Sequence, residues 1–393
     1  MATNITYRLR HEAADEVVFF EESSAVRKVI LNRPAKLNPL NYEMASKILR
    51  TLEKYEYDPA VGCIILKANG KAFSAGGDII SVVCSSIGGH WSYPLLYYRK
   101  AVMAAYLIAT SKKPVVSLVH GLVMGAGAGL TMQATCRVVT EKTVFAMPEV
   151  GIGLFPDIGA TYFLSRLPGS FGEYLALTGA RINGHEMVAC GLATHFVFSK
   201  DMSLLEKAIC MQVSQSSTAS AISQIIQKFA GASNLEEGSA LRSLETVINR
   251  CFSRSTVEEI LSSLEIEASK SGAADKWIRK ACISIKSASP TSLKVTLRSI
   301  REGRTRSLEQ CLFREFFICG HMLRGTVNRD FYELFFQGSR ALLFDKDKNP
   351  KWNPPTVEQV LEEAVDKLFE DMDYQELSPL QLPRMSGDLT AKL

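Results

Sequence analysis

In the first 200 residues, short and compact runs of mostly apolar residues alternate with segments whose apolar residues are spaced along one helical face. The segments Val26–Leu31, Cys63–Ala68 and Val115–Val119 are runs of strand length and are typical of buried β-strands. Asn41–Tyr55 carries apolar residues at spacings of four, four and three, which predicts an amphipathic helix. Leu95–Thr110 is a second helical segment. Strands that alternate with helices predict an α/β core of roughly 200 residues.

After about residue 200 the spacing becomes helical, and no strand is predicted there. A change of composition at Gly231–Gly238 predicts a flexible junction. The acidic segment Val357–Glu376 has one apolar stripe, which predicts a surface helix rather than a helix that binds a partner. We therefore expect a core at residues 16–205, a helical region at residues 206–352, and an acidic helix and tail at residues 353–393. The segments with helical spacing are Leu204–Lys228, Ser239–Arg250, Thr256–Glu267 and Ser307–Leu323.

The composition argues against several classes of protein. The 393 residues carry a formal charge of +4, which gives no case for nucleic-acid binding, and no apolar run is long enough to predict a membrane span. Nine cysteines occur singly, without a Cys-x-x-Cys pair, and predict reduced thiols rather than disulfides or a zinc site. His185 and Glu186 begin a motif like that of zinc proteases, but its second histidine would fall at Ala189. The sequence therefore predicts no metal site.

The two ends of the chain differ in their targeting signals. The first 20 residues lack the charged start and apolar core of a secretory signal, and their acidic residues are atypical of a transit peptide. The last three residues, Ala391-Lys392-Leu393, are a variant of the Ser-Lys-Leu address that the peroxisomal import receptor reads. We therefore expect a peroxisomal protein, or a cytoplasmic one if the receptor does not read this tail.

The first segment with chemical meaning is Lys71–Ile79, KAFSAGGDI, which directly follows a predicted strand. Gly76 and Gly77 allow a tight turn whose backbone amides point into open space. Asp78 precedes an apolar stretch of helical character and is a natural N-cap. Amides at such a helix N-terminus bind anions or a developing negative charge. Taken alone, however, this loop would favour a plain turn.

The second segment is Leu122–Leu130, LVMGAGAGL, which follows another predicted strand and leads into a predicted helix. Its alternate glycines permit close approach of the backbone to a ligand. The segment also resembles the Gly-x-Gly-x-x-Gly motif of dinucleotide-binding folds. However, the sixth position is Leu130, and four residues separate the strand from the glycines. The dinucleotide interpretation is therefore weak.

The third segment, Phe145–Phe163, contains two carboxylates among apolar residues. Glu149 follows Pro148, and Asp157 follows Pro156. An apolar neighbourhood should raise the pKa of Glu149 and so suit it to proton transfer near neutral pH. One such carboxylate is often a helix cap. Two of them, each after a proline in a glycine-punctuated segment, predict a functional site.

In their order and spacing, these three segments resemble the crotonase (enoyl-CoA hydratase/isomerase) superfamily over roughly residues 20–210. The run FAMPEVGIGLFPDIGATYFLSRLPG is similar to one branch, the 3-hydroxyisobutyryl-CoA hydrolases, and the similarity continues through LRSIREGR and DKDKNPKW to about residue 352. The resemblance implies an α/β fold, a crotonase-like spiral of β-β-α units, with a mostly helical C-terminal part that completes the site. It also implies hydrolysis of a short-chain hydroxyacyl-CoA, with 3-hydroxyisobutyryl-CoA of valine degradation favoured. No cofactor is expected, because coenzyme A is part of the substrate.

The resemblance further implies four catalytic roles. The backbone amides of Gly77 and Ala126 would form an oxyanion hole that holds the thioester oxygen as it becomes negative. Glu149 would either attack the thioester to form a transient anhydride or activate water, and the sequence leaves both routes open. Asp157 would hold the 3-hydroxyl group of the acyl chain.

Binding of the coenzyme A portion is implied for two loops and one lysine. The stretch Ala75–Ile79 and the loop Lys36–Leu40 would line the adenine site. Lys346 of the DKDK segment would meet the CoA phosphates, and an ordinary exposed loop lysine is the alternative. The residues concerned in the two loops are Ala75, Gly76, Asp78, Ile79 and Leu37.

Three positions depart from related patterns and bear on activity. Gly129 stands where hydratases of the superfamily carry a second catalytic glutamate, which favours hydrolysis over hydration. Ala126 replaces the glycine usual in the hydrolases, and Ala101 stands where their pattern has a glutamate that contacts substrate. The alternatives are therefore another crotonase-type hydratase, isomerase or decarboxylase, and a CoA-binding pseudoenzyme that has lost turnover. The superfamily also implies that oligomers can form.

Overall fold

The structure, a computed structural model, describes residues 16–270, 276–326, 336–372 and 378–383, so the tripeptide Ala391–Leu393 lies outside the described residues. Within these ranges, nine strands lie in the first half of the chain. They are β1 Val18–Ser23, β2 Val26–Leu31, β3 Cys63–Ala68, β4 Val115–Leu118, β5 Leu122–Met124, β6 Cys136–Val139, β7 Val144–Ala146, β8 Ile182–Asn183 and β9 His195–Phe196.

The α-helices whose bounds are described extend from the core into the C-terminal part. They are α1 Tyr42–Tyr57, α2 Ile79–Ile87, α3 Ser92–Thr110, α4 Gly125–Thr131, α5 Ala160–Leu164, α6 Phe171–Thr178, α7 Gly184–Ala189, α8 Met202–Gln212, α9 Ala219–Gln227, α10 Asn249–Phe252, α11 Val257–Lys270, α12 Lys276–Ser287, α13 Pro290–Gly303, α14 Leu308–Arg324 and α15 Glu362–Leu368.

The strands form a large sheet and a small sheet. The large sheet has the order β1-β2-β3-β4-β6-β9, in which β1 is antiparallel to β2 and the other neighbours are parallel. The small sheet has the order β5-β7-β8, with β5 parallel to β7 and β8 antiparallel to it.

Successive chain segments alternate between the two sheets and form a spiral. In two turns, β4 and β6 lie in the large sheet and the next strands, β5 and β7, lie in the small one. An earlier turn follows the same path from the large sheet to the small one. After β3 of the large sheet, the chain reaches Ser74, which forms a parallel bridge with Val123 of β5. Helices α2 and α4 follow the first two of these turns. The structure thus has the β-β-α spiral that the resemblance implies.

The large sheet is buried on both faces, which explains its largely apolar strands. In β3, Cys63 and Ile65 pack into a cluster that contains apolar residues of α8 and α9. Ile64 and Leu66 point to the opposite face and belong to the main core. Because successive side chains of a strand face opposite ways, burial of both faces favours apolar residues at successive positions.

The strands and helices predicted in the first half are confirmed, with small changes of boundary. Helix α1 has Asn41 as its N-cap, whose side chain accepts a hydrogen bond from the Met44 amide at 2.9 Å. Helix α3 begins at Ser92 rather than at Leu95. Its Pro94 lies in the first turn, where a proline is tolerated because no intrahelical donor is needed.

The C-terminal part is mostly helical, but its details differ from the prediction. The segment Leu204–Lys228, which has helical spacing, forms two helices, α8 and α9, and the sequence did not indicate α12 or α13. The acidic helix is far shorter than predicted, because α15 has 7 residues. Its Val365 and Leu368 are buried, whereas Leu361 is 66% exposed, so the predicted apolar stripe is not continuous. Residues 231–238 form no helix or strand, and their flexibility stays a prediction.

One large cluster of buried apolar side chains contains residues from both halves, from Val18 to Leu380. The division near residue 205 stays a prediction. Across the described ranges, every helix is too short or too polar to cross a membrane.

Candidate active site

Three loops emerge side by side at one edge of the small sheet. Ser74 pairs with β5 in parallel, and β5 pairs with β7 in parallel. Neighbouring parallel strands end at the same edge of a sheet, about 4.8 Å apart. The chain segments that follow these three strand ends carry Gly77, Ala126 and Glu149. The spiral therefore brings together the three segments that the sequence indicated.

A pocket of about 60 Å³ lies where these loops meet. Its walls are glycine backbone, two buried carboxyl groups and apolar or aromatic side chains. The residues predicted for the site that line it are Ala75, Gly76, Gly77, Ile79, Ala126, Glu149 and Asp157. The lining residues that sequence reasoning missed are Tyr97, Tyr98, Gly125, Pro148, Ile152, Leu154 and Ile158.

The backbone amides of Gly77 and Ala126 in this pocket have no acceptor among the described residues. On either side of Gly77, the Gly76 carbonyl accepts from the Leu40 amide at 2.8 Å and the Asp78 amide donates to the Leu40 carbonyl at 2.7 Å, which fixes the turn. The amide of Gly77 itself stays available. Ala126 is the second residue of α4, where an amide has no intrahelical acceptor. Two such donors can stabilise one oxygen that becomes negative during a reaction.

Glu149 begins a short 3-10 helix, Glu149–Ile152, directly after the loop that leaves β7. Its side chain is 6% exposed, and its Oε2 atom has no hydrogen-bond partner among the described residues. The Oε1 atom packs so closely on Gly125 that a Cβ atom there would lie 2.6 Å from it. Burial raises the pKa of Glu149 to about 8, as the sequence predicted in direction. A carboxyl group of this kind can act as a nucleophile or a base near neutral pH.

Asp157 is the second buried carboxyl group of the pocket. Burial, together with the charges of Glu149 and Glu315, raises its pKa well above the usual range. The thiol of Cys319 donates to Oδ2 of Asp157 at 3.6 Å. Because carboxylates that share a site resist simultaneous ionisation, Glu149 and Asp157 titrate as a coupled pair.

Glu315 of α14 holds the turn that carries Asp157. Its carboxylate accepts hydrogen bonds from the amides of Gly159 at 2.6 Å and Thr161 at 2.8 Å. The side chain is 1% exposed, and burial raises its pKa to about 7. Sequence reasoning missed this residue. One signal could have indicated it, because Glu315 lies on the apolar face of its helix, where a charged residue needs a partner.

The remaining residues predicted to bind coenzyme A do not line the pocket. Asp78 is the N-cap of α2, as predicted, and accepts from the Ser81 amide at 3.1 Å and from Arg33 at 2.8 Å. The Leu37 carbonyl accepts from the Ala75 amide at 2.9 Å, so the two predicted adenine loops lie side by side. Their contact with coenzyme A stays a prediction.

Lys346 lies on an exposed loop with its backbone in the left-handed region, at a φ of 59°. Its neighbours Asp345 and Asp347 both pair with Arg340. The same segment reaches the pocket a few residues earlier, where Gly338 packs against the backbone of Ile152. Lys346 itself does not line the pocket, and its role toward phosphates stays a prediction.

Two of the three departures, Gly129 in α4 and Ala101 in α3, have different surroundings. A Cβ atom at Gly129 would lie 2.6 Å from the carbonyl oxygen of Ile158 and 2.9 Å from its Cβ atom. No side chain fits at position 129 while this backbone is kept. Ala101 is completely buried in α3 and does not line the pocket.

A larger cavity lies elsewhere, between β8 and α12. Its volume is about 550 Å³, and its lining includes Tyr174, Arg181 and Trp277 but none of the predicted site residues. We therefore assign the chemistry to the smaller pocket, where free backbone donors and buried carboxyl groups converge. In the described part of the chain, no three histidine, cysteine or acidic side chains are grouped as metal ligands would be. The absence of a cofactor stays a prediction.

Comparison with known proteins gives consistent results. Residues 26–369 match the family described as enoyl-CoA hydratase/isomerase. The chain is 47% identical over 371 residues to 3-hydroxyisobutyryl-CoA hydrolase 1 of Arabidopsis thaliana, which covers 94% of this chain and 95% of the relative. It is 40% identical over 374 residues to a small ribosomal subunit protein of the same plant, which covers 94% and 88%.

A solved structure also matches almost the whole chain. The crystal structure of a carnitinyl-CoA dehydratase from Mycobacterium thermoresistibile superimposes with a TM-score of 0.81 at 31% identity, and the match covers 93% of this chain and 99% of that one. These matches confirm the resemblance and the α/β spiral that were expected from the sequence.

Proposed function

Because the chain belongs to the enoyl-CoA hydratase/isomerase family, we propose that it hydrolyses 3-hydroxyisobutyryl-CoA to 3-hydroxyisobutyrate and free coenzyme A. The reaction is the hydrolysis of an acyl-CoA thioester, and its product places the enzyme in valine degradation. The relative that is 47% identical over nearly its whole length carries the name of a hydrolase for this substrate.

One observation carries the proposal. Glu149 presents an unpartnered carboxylate oxygen to a pocket in which Gly77 and Ala126 contribute free amides. In the proposed complex these amides form an oxyanion hole and hold the thioester oxygen, while Glu149 faces the carbonyl carbon. One donor of this type contributes roughly 10²–10³ in rate.

Two routes satisfy this arrangement. In the first, a Glu149 oxygen attacks the carbonyl carbon, the carbon–sulfur bond breaks, and the CoA thiolate leaves and takes a proton. Water then hydrolyses the glutamyl anhydride to the acid and restores the carboxylate. In the second, Glu149 accepts a proton from water as the water oxygen attacks, and passes it to the departing sulfur. Turnover in ¹⁸O-water tests the first route, because label in the peptide that contains Glu149 requires the anhydride.

The position of Gly129 favours hydrolysis over hydration. Addition of water to a double bond needs a second acid/base group, and position 129 has no room for one. In the proposed complex Asp157 holds the acyl hydroxyl group instead. The loops at Leu37 and Ala75 are adjacent and support the proposed adenine site.

Release of free thiol from a panel of acyl-CoAs tests the proposal. We expect release from 3-hydroxyisobutyryl-CoA by the wild type and a loss of at least 10³-fold in Glu149→Gln. Glu56→Gln is the matched control, since Glu56 is buried but lies outside the pocket, and it should keep full activity. Thiol release that is unchanged in Glu149→Gln would contradict the mechanism while leaving the activity intact.

A second candidate is a CoA-binding protein without turnover. It is favoured by Ala101 and Ala126 and by the relative named as a small ribosomal subunit protein. In that case the protein would bind coenzyme A yet release no thiol from any member of the panel. A hydrated product without free thiol would instead indicate a hydratase.

We further propose that Ala391-Lys392-Leu393 is read by the peroxisomal import receptor and directs the enzyme to peroxisomes. The support is the sequence of the tripeptide alone. A fluorescent protein fused ahead of the full chain should colocalise with a peroxisomal marker and become cytoplasmic when the three residues are deleted. Cytoplasmic fluorescence of the intact fusion would contradict this proposal.

A further inference from the structure

The hydroxyl group of Tyr97 has no assigned partner in the fold. Helix α3 places the side chain in the wall of the active-site pocket, where it is 5% exposed. Among the described residues, its oxygen has no hydrogen-bond partner. Buried hydroxyl groups are nearly always paired, so an unpaired one that borders a pocket points to a partner on the ligand.

This hydroxyl group packs against one active-site loop and shares its pocket with Asp157. A Cβ atom at Gly77 would lie 2.9 Å from the Tyr97 oxygen, so the hydroxyl group packs against the loop of the first amide donor. Asp157 lines the same pocket, and its charge, after burial, contributes to raising the pKa of Tyr97. The phenol therefore stays protonated and can donate a hydrogen bond beside the aspartate.

A single hydroxyl group on the acyl chain can satisfy both residues. A hydroxyl group donates one hydrogen bond and accepts up to two. It can donate to a carboxyl oxygen of Asp157 and accept from the Tyr97 hydroxyl group at the same time. An acyl chain without it would leave the buried Tyr97 hydroxyl group unpaired and Asp157 with only its contact to Cys319, and sites of this kind reject such analogues strongly.

We propose that Tyr97 is a specificity-determining residue, whose hydroxyl group binds the acyl hydroxyl group together with Asp157 and so selects hydroxyacyl over unsubstituted acyl thioesters. This inference rests on the proposed hydrolase function. The alternative role, a third donor to the thioester oxygen, would affect both kinds of substrate equally, because both have that oxygen.

Two substrates that differ only by the hydroxyl group test the proposal. The value of kcat/KM is measured for 3-hydroxyisobutyryl-CoA and isobutyryl-CoA with wild type, Tyr97→Phe and Tyr106→Phe. Tyr106 lies on the same helix, and its hydroxyl group bonds to Glu309 away from the pocket, so its variant controls for loss of a buried hydroxyl group from α3. We expect Tyr97→Phe to lower the preference for the hydroxylated substrate by about 10- to 100-fold, with little change for isobutyryl-CoA. Tyr106→Phe should keep the wild-type preference.

An equal loss for both substrates, or an unchanged preference, would overturn the proposal. A second measurement separates it from the proposed function. If the wild type releases no thiol, the hydrolase function fails, and binding of two ketone analogues in which CH₂ replaces the thioester sulfur still tests Tyr97. The hydroxylated analogue should then bind more tightly than the unsubstituted one to the wild type, and Tyr97→Phe should remove the difference. Equal binding of both analogues by the wild type would contradict the role of Tyr97.

Discussion

Glu315 accepts a hydrogen bond from the backbone amide of Gly159 at 2.6 Å, although 156 residues separate the two along the chain. The bond joins the helical C-terminal part to the turn that carries Asp157. The turn needs this support, because Ile158 has a positive φ of 54° and a β-branched side chain is strained there.

We therefore expect Glu315→Ala to affect both stability and catalysis. Loss of the acceptor leaves two buried amides unpaired, which should lower the free energy of unfolding by about 2 kcal/mol and kcat/KM by at least tenfold. Urea denaturation and thiol release measure these effects. Glu309→Gln, at an exposed position on the same helix, is the control and should keep nearly full activity, because glutamine keeps an acceptor for the Tyr106 hydroxyl group. Full activity of Glu315→Ala would show that Asp157 does not depend on this contact.

The raised pKa of Glu149 predicts an alkaline activity profile. Both proposed routes need the ionised carboxylate, and burial raises the pKa of this group to about 8. The value of kcat/KM should therefore rise with pH and level off above about pH 8, with an apparent pKa that belongs to the pair of Glu149 and Asp157. Initial rates between pH 5.5 and 9.5 test this. A profile already flat from pH 5.5 would contradict it.

The raised pKa of Glu149 also predicts that this residue destabilises the fold at high pH. Between its ordinary pKa near 4.5 and its folded value of about 8, Glu149 binds more protons in the folded state than in the unfolded state. The free energy of unfolding must therefore fall as pH rises through this window. Glu149→Gln removes the effect and should raise Tm on the order of 4 °C at pH 9, but little at pH 4.5. Thermal denaturation of the wild type and the variant at both pH values tests this prediction. An equal difference in Tm at the two pH values would contradict it.

Gly129 should tolerate no side chain. Gly129→Ala forces a Cβ atom against the backbone of Ile158 and should lower the free energy of unfolding by about 2 kcal/mol. Gly151→Ala is the matched control, since a Cβ atom there meets nothing within 4 Å, and it should change stability by less than about 0.5 kcal/mol. Gly129→Glu should yield no hydratase activity for the same steric reason. A stable Gly129→Glu protein that hydrates an enoyl-CoA would refute this account.

Much of the fold followed from local patterns. The runs Val26–Leu31 and Cys63–Ala68 match strands β2 and β3 residue for residue, because both faces of the large sheet are buried. Strands β5 and β7 have 3 residues each, and segments this short show no hydrophobic periodicity from which a strand can be predicted. The acidic helix was predicted too long, because its apolar residues were assumed to share one face, whereas Leu361 is exposed.

The site was predictable to the extent that its residues lie in short segments of unusual composition. Gly77, Ala126 and Glu149 each follow a strand in such a segment, and the pocket unites them. Tyr97 lies in the largely buried helix α3 and Glu315 in helix α14, and both are outside these segments. Their importance depends on which way a helix is turned in the folded protein, and local sequence does not carry that information.

The parallel pairing of Ser74 with β5 has a consequence for how this site can change. The Gly77 amide follows Ser74 and the Ala126 amide follows β5, and backbone hydrogen bonding sets the separation of these paired segments at about 4.8 Å. The spacing of the two amides in the proposed oxyanion hole is thus set by main-chain geometry and does not depend on the neighbouring side chains. Ala126 can therefore replace a glycine without altering that spacing. Substitutions at positions such as Tyr97 and Asp157 can then change the acyl specificity of the site. The backbone amides that activate the thioester are kept through such substitutions.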